Sequence, residues 1–206
     1  MPTIDKLSNI TYPIVETFHS VQGEGASTGV SAFFIRLAGC DVGCPWCDTK
    51  HSWNASRHPQ RNLEDLSAEV RSANPAIVVI TGGEPLMHDL NPLTEAISQV
   101  SKRIHLETSG AYPLSGKFDW VTFSPKRFKP PHPSIYPRAD ELKVVVVDAE
   151  DLKWAEMQAS KVPEKTLKYL QPEWSEKRSQ NLAIEYVLQH PEWRISLQTH
   201  KFLGVR

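Results

Sequence analysis

The sequence predicts an α/β protein whose mostly parallel strands form a reduced, partly open (β/α) barrel. Short runs of β-branched and apolar residues alternate with helical stretches, which is typical of parallel strands joined by crossovers. Polar clusters follow most of the predicted strands. The chain has 206 residues, at the lower limit of the roughly 200 to 250 that a closed eight-unit barrel needs. We therefore expect an open flank, within a single domain over residues 1–206.

The first half of the chain contains three predicted strands and two predicted helices. The strands are expected at residues 13–18, 32–37 and 76–80, and the helices at residues 63–73 and 91–100. Asn62 is a candidate N-cap for the first helix, and Pro92 occupies the favoured first position of the second. The β-branched run at 76–80 is typical of a strand that is covered on both faces.

The second half contains five predicted strands and two predicted helices. The strands are expected at residues 104–106, 120–123, 142–147, 167–170 and 194–197, and the helices at residues 149–160 and 176–189. The span 109–140 leaves little room for a full helix, so we expect one crossover to be reduced to a loop. The proline-rich stretch at 129–133 supports a loop there.

Six polar clusters come directly after predicted strands. They are the cysteine loop after residue 37 and residues 81–84, 107–109, 124–126, 171–172 and 198–200. The carboxyl ends of parallel strands lie along one edge, and that edge builds the active site in α/β proteins. We therefore expect the six clusters to converge. Lys143 is different, because it lies inside a strand; it points either into the barrel or along its rim.

Composition and charge exclude several classes of function. The formal net charge is −1, so no global field attracts this protein to nucleic acid or to an acidic membrane. No apolar run approaches the ~18 residues of a transmembrane helix. Residues 1–10 lack the apolar core of a signal peptide. Cysteines kept as thiols, without an export signal, predict a cytoplasmic protein.

The chain has only three cysteines, Cys40, Cys44 and Cys47, and they fall within eight residues. An odd number so close together is a poor disulfide framework, and three soft ligands suit zinc, copper(I) or an iron–sulfur cluster. Two alternatives follow from the spacing. A 4Fe–4S cluster held by three cysteines keeps one iron open for a substrate or cofactor. A structural zinc site needs a fourth ligand, and His51 is a candidate.

Several ordered motifs resemble one family. The Cys-x3-Cys-x2-Cys spacing, with Trp46 before the last cysteine, resembles the radical S-adenosylmethionine (SAM) superfamily signature. More specifically, the chain resembles the 7-carboxy-7-deazaguanine synthase family of that superfamily. The resemblance covers nearly the whole chain, through VQGEG (21–25), FIRLAGC (34–40), CDTKH (47–51), TGGEP (81–85), ETSG (107–110), SPK (124–126) and QTHK (198–201).

The resemblance implies an enzyme that converts 6-carboxy-5,6,7,8-tetrahydropterin to 7-carboxy-7-deazaguanine with loss of ammonia, on the route to queuosine-type bases. It implies a 4Fe–4S cluster, SAM and Mg²⁺ as cofactors, a one-electron reductant such as flavodoxin, and a homodimer, but no nucleic-acid or membrane partner. Two other hypotheses stay open at the sequence level. One is a glycyl-radical-enzyme activating protein, and the other is a non-catalytic zinc-binding module.

The resemblance also implies the roles of particular residues. Cys40, Cys44 and Cys47 would hold the cluster, and Thr49 would bind Mg²⁺. The substrate would contact Val21, Gln22, Gly23, Arg36, Thr81 and Arg206. SAM would contact Trp46, Asp48, Gly83, Glu84, Glu107, Ser109, Ser124, Pro125, Lys126 and Gln171. We expect His51, His88 and His200 to be structural.

Overall fold

The structure is a computed structural model that describes residues 9–101 and 103–206. Residues 1–8 lie outside the described residues. They form most of the stretch 1–10, for which the sequence predicts no signal peptide. The strands are β1 (Thr11–Val21), β2 (Ser31–Leu37), β3 (Gln60–Asn62), β4 (Ile77–Gly82), β5 (Ile104–Thr108), β6 (Trp120–Phe123), β7 (Glu141–Val146), β8 (Leu167–Pro172) and β9 (Trp193–Ile195). The α-helices are α1 (Leu63–Ala73), α2 (Asn91–Ser98), α3 (Ala149–Ala159), α4 (Lys177–Gln189) and α5 (Thr199–Leu203).

The strands form one open sheet in the order β3-β1-β2-β4-β5-β6-β7-β8-β9. From β2 through β4 to β9, every neighbouring pair is parallel. β1 runs antiparallel to both β2 and β3. The predicted mostly parallel, partly open architecture is therefore confirmed, with β3 and β9 at the edges of the described sheet.

The structure differs from the sequence-based prediction in a few elements. β1 is longer than expected, and the three-residue β3 was not predicted, because so short a segment has no periodic pattern of its own. It forms because residues Thr11 to Pro13 at the start of β1 offer pairing partners to 60–62. Helix α5 was also missed. Two crossovers, rather than one, lack an α-helix between β5 and β7, and a 3₁₀ turn at Tyr136–Arg138 lies in the second.

The two faces of the sheet have different environments. Ile35 and Leu37 of β2 pack into the main core beside α1 and α2, whereas Phe34 belongs to a second apolar cluster on the opposite face. In β4, Val79 belongs to that same inner cluster. The next inward positions, Arg36 and Thr81, line a cavity. The inner face thus changes from apolar to polar toward the carboxyl ends of the strands, which places the functional chemistry there.

Local signals in the sequence fix the ends of the helices. The Asn62 side chain accepts a hydrogen bond of 2.8 Å from the Asp65 main-chain N–H, as predicted for an N-cap. Asp148 and Asp151 form a reciprocal capping box at the start of α3, which satisfies main-chain donors that a helix leaves unpaired. No helix among the described residues combines the length and apolarity that a membrane crossing requires.

Candidate active site

A cavity of about 290 Å³ opens at the carboxyl ends of the parallel strands. Every one of the six polar clusters that follow strands in the sequence contributes to its wall, so the predicted convergence is confirmed. Of the residues predicted to bind the cluster, Mg²⁺, SAM or the substrate, all but Glu84 and Pro125 line this one cavity. The volume is near the lower end of the range for small-molecule sites, about 300 to 1,000 Å³.

The cysteine loop is held by main-chain hydrogen bonds to the segment that follows it. The Gly39 N–H donates to the Ser52 carbonyl at 2.7 Å, and the Cys40 N–H donates to the Trp53 carbonyl at 3.1 Å. His88 Nε2 lies 2.8 Å from the Ala38 carbonyl, which is the structural role predicted for this histidine. The loop therefore has a defined path before any metal is bound.

The glycine-rich turn after β4 packs directly against this loop. The Gly83 N–H donates to the Leu37 carbonyl at 3.0 Å, and the Glu84 N–H donates to the Gly39 carbonyl at 2.8 Å. A Cβ atom on Gly83 would lie 2.7 Å from the Cys40 Cβ and would collide with the Gly39 carbonyl oxygen. Only glycine permits this contact, so the motif positions the cysteine loop in addition to exposing main-chain groups to a ligand.

The donors present suit an iron–sulfur cluster. Cys40, Cys44 and Cys47 are free thiols that share the cavity wall. Burial raises the pKa of Cys40 and Cys44, so binding iron must displace protons from these thiols. Among the described residues, no three His, Cys, Asp or Glu side chains are arranged around a point that could hold one metal ion. A cluster is larger than one ion and binds thiolates at its separate corners.

The zinc alternative required His51 as a fourth ligand. His51 is exposed and is not among the residues that line the cavity with the three cysteines. Its carbonyl lies 2.8 Å from the Nε2 of His58, in the segment that follows. The structure therefore does not bring His51 to the thiols.

Glu84, one of the predicted SAM contacts, is bonded within the protein and does not line the cavity. Its carboxylate is buried, with 1% of the residue exposed. One oxygen accepts hydrogen bonds from the Leu86 N–H at 3.0 Å and the Thr108 hydroxyl at 2.5 Å. The other accepts from the Ser109 N–H at 2.8 Å and from the Ser109 hydroxyl. All of these donors belong to the protein, so Glu84 positions Ser109, which does line the cavity.

Lys126 and Ser124 form the wall beside the cysteine loop. The Lys126 ammonium donates to the Ser124 carbonyl at 2.5 Å and to its hydroxyl at 2.6 Å, and it lies 5.7 Å from the centre of the Trp46 ring. Burial lowers the pKa of Lys126 to about 8. Pro125, between these two residues, does not line the cavity; its ring restricts the backbone that joins them.

A linked set of polar groups lines another part of the cavity wall. The Gln22 amide donates to one oxygen of Glu107 at 2.9 Å, and the Thr81 hydroxyl donates to the other at 3.0 Å. Arg36 donates through its Nε to Glu16 on β1 at 2.9 Å. An arginine in this setting can offer planar paired donors to a carboxylate.

Arg206 also reaches this wall. Its main-chain oxygen accepts a 2.7 Å hydrogen bond from the Ser20 hydroxyl, and its guanidinium pairs with Glu16 and lies 5.0 Å from the Phe18 ring centre. The side chain of Arg206 is thus directed toward β1, beside the pair formed by Glu16 and Arg36.

Many residues that line the cavity were not among the predicted site residues, and Lys143, Glu24 and His200 are three of them. Lys143 of β7 points into the barrel and not along its rim, the two positions that the sequence left open. Glu24 forms an ion pair with it. His200, predicted to be structural, also lines the cavity. A lysine inside a β-branched run was a visible signal for Lys143. Nothing in the sequence indicated that Glu24 is its partner.

An open parallel α/β sheet with three free cysteines and a glycine-rich turn at its carboxyl rim defines the class of radical SAM proteins. Residues 34–130 match the family model described as Radical SAM superfamily. A protein of this superfamily uses a 4Fe–4S cluster together with SAM.

Comparison with individual proteins defines the family more closely. The chain is 54% identical over its full length to a 7-carboxy-7-deazaguanine synthase of Synechocystis, covering 99% of that relative. It is 45% identical to the Flavobacterium psychrophilum protein of the same name, over 94% of this chain and 92% of that one. The crystal structure of QueE from Escherichia coli superimposes with a TM-score of 0.84 at 34% identity, covering 97% and 99% of the two chains. The chain belongs to the 7-carboxy-7-deazaguanine synthase family.

Proposed function

We propose that this protein converts 6-carboxy-5,6,7,8-tetrahydropterin to 7-carboxy-7-deazaguanine with loss of ammonia. One observation carries the proposal. The three cysteines, the residues assigned to SAM and the residues assigned to the substrate line a single cavity at the carboxyl rim of the sheet. Membership of the family supplies the identity of the substrate and product.

We assign Cys40, Cys44 and Cys47 as the ligands of three irons of the cluster. When bound, the cluster and SAM supply reductive cleavage of a carbon–sulfur bond and the abstraction of a hydrogen atom from the substrate. The chain holds these cofactors together and limits the access of water to them. Cys44 is buried and Cys40 and Cys47 are half-buried, and all three lie on the cavity wall that would hold the cluster.

Residues from several strand ends surround the position that we assign to SAM. Gly83 offers main-chain groups beside Cys40, and Ser109 is held in place by Glu84. Further polar groups come from the cysteine loop and from the ends of β5, β6 and β8; they are Trp46, Asp48, Glu107, Ser124, Lys126 and Gln171. Because these groups are already bonded within the protein, they lose little freedom when a ligand binds.

We assign Arg36 and the Val21–Gly23 main chain to the substrate. The Arg36 guanidinium is oriented by Glu16 and can pair with the substrate carboxylate. Gln22 and Thr81 are fixed by Glu107, so they present a rigid polar wall to a flat heterocycle. Holding the reacting carbon in one orientation is the largest contribution that this wall can make to the rate.

We assign Thr49 to Mg²⁺. Its hydroxyl lies on the cavity wall, 3.5 Å from the Cys47 sulfur. A single hydroxyl is a weak site alone, and Mg²⁺ keeps several waters and borrows oxygens from substrates. The ion is therefore expected to bind together with the substrate carboxylate.

We also propose a cytoplasmic homodimer that receives electrons from a one-electron reductant such as flavodoxin. The cytoplasmic location is supported by three free thiols, which persist in a reducing compartment. The dimer is supported by the unpaired edge strands of the sheet, which proteins generally cover. Exposed apolar side chains at Leu188, Phe202 and Leu203 offer a surface for the second copy. Equilibrium sedimentation measures its stoichiometry.

The direct test is turnover of the purified protein after anaerobic reconstitution with iron and sulfide. With SAM, Mg²⁺ and a chemical reductant, the pterin is expected to give the deazaguanine product and one equivalent of ammonia, measured by mass spectrometry. Cys44→Ala is the matched control, since it removes one iron ligand. SAM cleavage without turnover of any pterin would favour the activating-enzyme alternative. A colourless protein that binds zinc would favour the binding module.

A further inference from the structure

Lys143 is a buried cation that has no place in the assigned SAM and substrate contacts. Its residue is 5% exposed, and it points from the middle of β7 into the cavity. Its ammonium forms an ion pair with Glu24, and the other oxygen of Glu24 accepts a 2.9 Å hydrogen bond from the Gln198 amide. Such pairs are expensive to desolvate, so the arrangement calls for an explanation.

Glu24 pairs with this ammonium, and the charges of Glu107 and Glu141 also act on it. Burial alone would lower the pKa of Lys143, but the charges of Glu24, Glu107 and Glu141 raise it well above its ordinary value. Burial would raise the pKa of Glu24, yet the Lys143 charge and the hydrogen bonds lower it to about 2. Burial raises the pKa of Glu141. Lys143 is thus protonated, and Glu24 is the carboxylate that pairs with it directly.

Glu24 belongs to a short loop, residues 22–27, that carries part of the assigned substrate wall. The loop is tied to the rest of the protein at several points; for example, the Thr199 N–H donates to the Gly23 carbonyl at 2.9 Å. Glu24 pairs with Lys143, the Gly25 N–H donates to the Ser196 hydroxyl at 3.0 Å, and the Ala26 N–H donates to Glu141 at 2.9 Å. A Cβ atom on Gly25 would collide with the Glu141 carboxylate, which shows how closely the loop is seated.

We propose that Lys143 is a positioning residue that, through Glu24, seats the loop 22–27 so that Gln22 and Gly23 present a fixed wall to the substrate. The inference rests on the proposed function for the identity of the substrate, but the seating of the loop does not depend on it. Lys143 has a second effect. Without its ammonium, the buried carboxylate of Glu24 would lose its ion-pair partner and would repel a substrate that itself carries a carboxylate.

The test uses the cluster-loaded dimer or monomer as purified, with Lys143→Met as the first variant. Hydrogen–deuterium exchange with SAM but no substrate is followed at residues 22–27. We expect the Gly25 and Ala26 amides to exchange at least about tenfold faster in the variant, since the buried pair that fixes the loop is broken. We expect the KM for the pterin to rise by about tenfold or more and kcat to change less. Iron content and SAM affinity should stay as in the wild type.

Two further variants and a control complete the design. Glu24→Gln keeps Lys143 but removes the same ion pair. It should therefore change amide exchange at residues 22–27 and the KM in the same direction as Lys143→Met. If Lys143→Met fails to fold, Glu24→Gln tests the proposal by itself. The double variant should be no worse than the more affected single variant, because both remove one interaction. Lys153→Met, which removes an exposed lysine on α3, should leave loop exchange and KM unchanged.

The outcomes separate this inference from the proposed function. Wild-type exchange at 22–27 together with a wild-type KM in Lys143→Met would overturn it. A variant that loses iron and SAM affinity to the same extent as its KM rises would also overturn the proposal, since these changes would indicate a general structural role. If the wild-type protein turns over no pterin, the proposed function fails, while the exchange experiment still decides whether Lys143 seats the loop.

Discussion

The buried Glu84 allows a sharp choice between two roles that its motif could have. As a direct SAM contact, its removal would weaken SAM binding and leave the apoprotein unchanged. As the group that joins the glycine-rich turn to the end of β5, its removal would destabilise the apoprotein before any cofactor is present. The structure supports the second role, because each carboxylate oxygen accepts one main-chain N–H and one hydroxyl.

Glu84→Gln is the variant that distinguishes them. A hydroxyl can rotate to face the new NH₂ group, but a main-chain N–H cannot. Either orientation of the amide therefore leaves the Leu86 or the Ser109 N–H without an acceptor in a site that is 1% exposed. Leaving one buried donor unpaired costs about 1 to 3 kcal/mol. For a chain of this length, that corresponds to a fall in Tm of about 2 to 12 °C.

The assay is urea and thermal unfolding of the apoprotein, followed by calorimetric titration of SAM into the reconstituted protein. Glu95→Gln is the matched control, since Glu95 is exposed on α2 and its change should stay within about 0.5 kcal/mol. If Glu84→Gln is as stable as this control while SAM affinity falls tenfold, Glu84 binds SAM directly and the positioning role is wrong.

Three further predictions follow from the site and the core. Cys44→Ala should lose the visible absorption of the cluster and all SAM cleavage; retained cleavage would contradict the ligand assignment. Thr49→Val should abolish the stimulation of turnover by Mg²⁺ and leave SAM cleavage without substrate intact, whereas Thr49→Ser should keep both; equal behaviour of the two variants would refute the assignment. His105 is buried, and Nε2 has no hydrogen-bond partner among the described residues. Burial lowers its pKa to about 4, below the ordinary value of about 6.5, so as the pH falls the unfolded chain takes up the proton first. Stability should therefore fall by about 2 kcal/mol between pH 7 and pH 5, and His105→Phe, which can still stack on Trp120, should flatten this dependence in urea titrations; an unchanged slope would refute it.

Elements with a strong local pattern could be predicted from the sequence. The β-branched run of β4 lies in a central strand with apolar clusters on both faces, and the N-cap at Asn62 starts α1 as expected. The convergence of the polar clusters was also predictable, because parallel strands present their carboxyl ends to the same edge. Where local pattern was weak, prediction failed. β3 is three residues long, and α5 has five, too few for a period to show.

The roles of individual charged residues needed the structure. The sequence placed Glu84 after two glycines, and its partners Thr108 and Ser109, at the end of β5, lie 24 and 25 positions away. Lys143 and Glu24 are 119 positions apart, and Glu24 and Gln198 are 174 apart. No periodicity or short motif links residues across such distances. The sequence alone therefore could not show whether a carboxylate binds a ligand or bonds to other groups of the protein.

The sequence by itself determined the class of fold, the cysteine trio and the rim on which the polar clusters meet. These depend on local patterns and on the one geometrical rule that parallel strands end at one edge. Only the tertiary structure decided that Glu84 turns to protein donors, that Lys143 faces inward, and that Lys143 pairs with Glu24. A charged group buried in a cavity is stable only with its partners, and those partners are brought to it by the folding of distant segments.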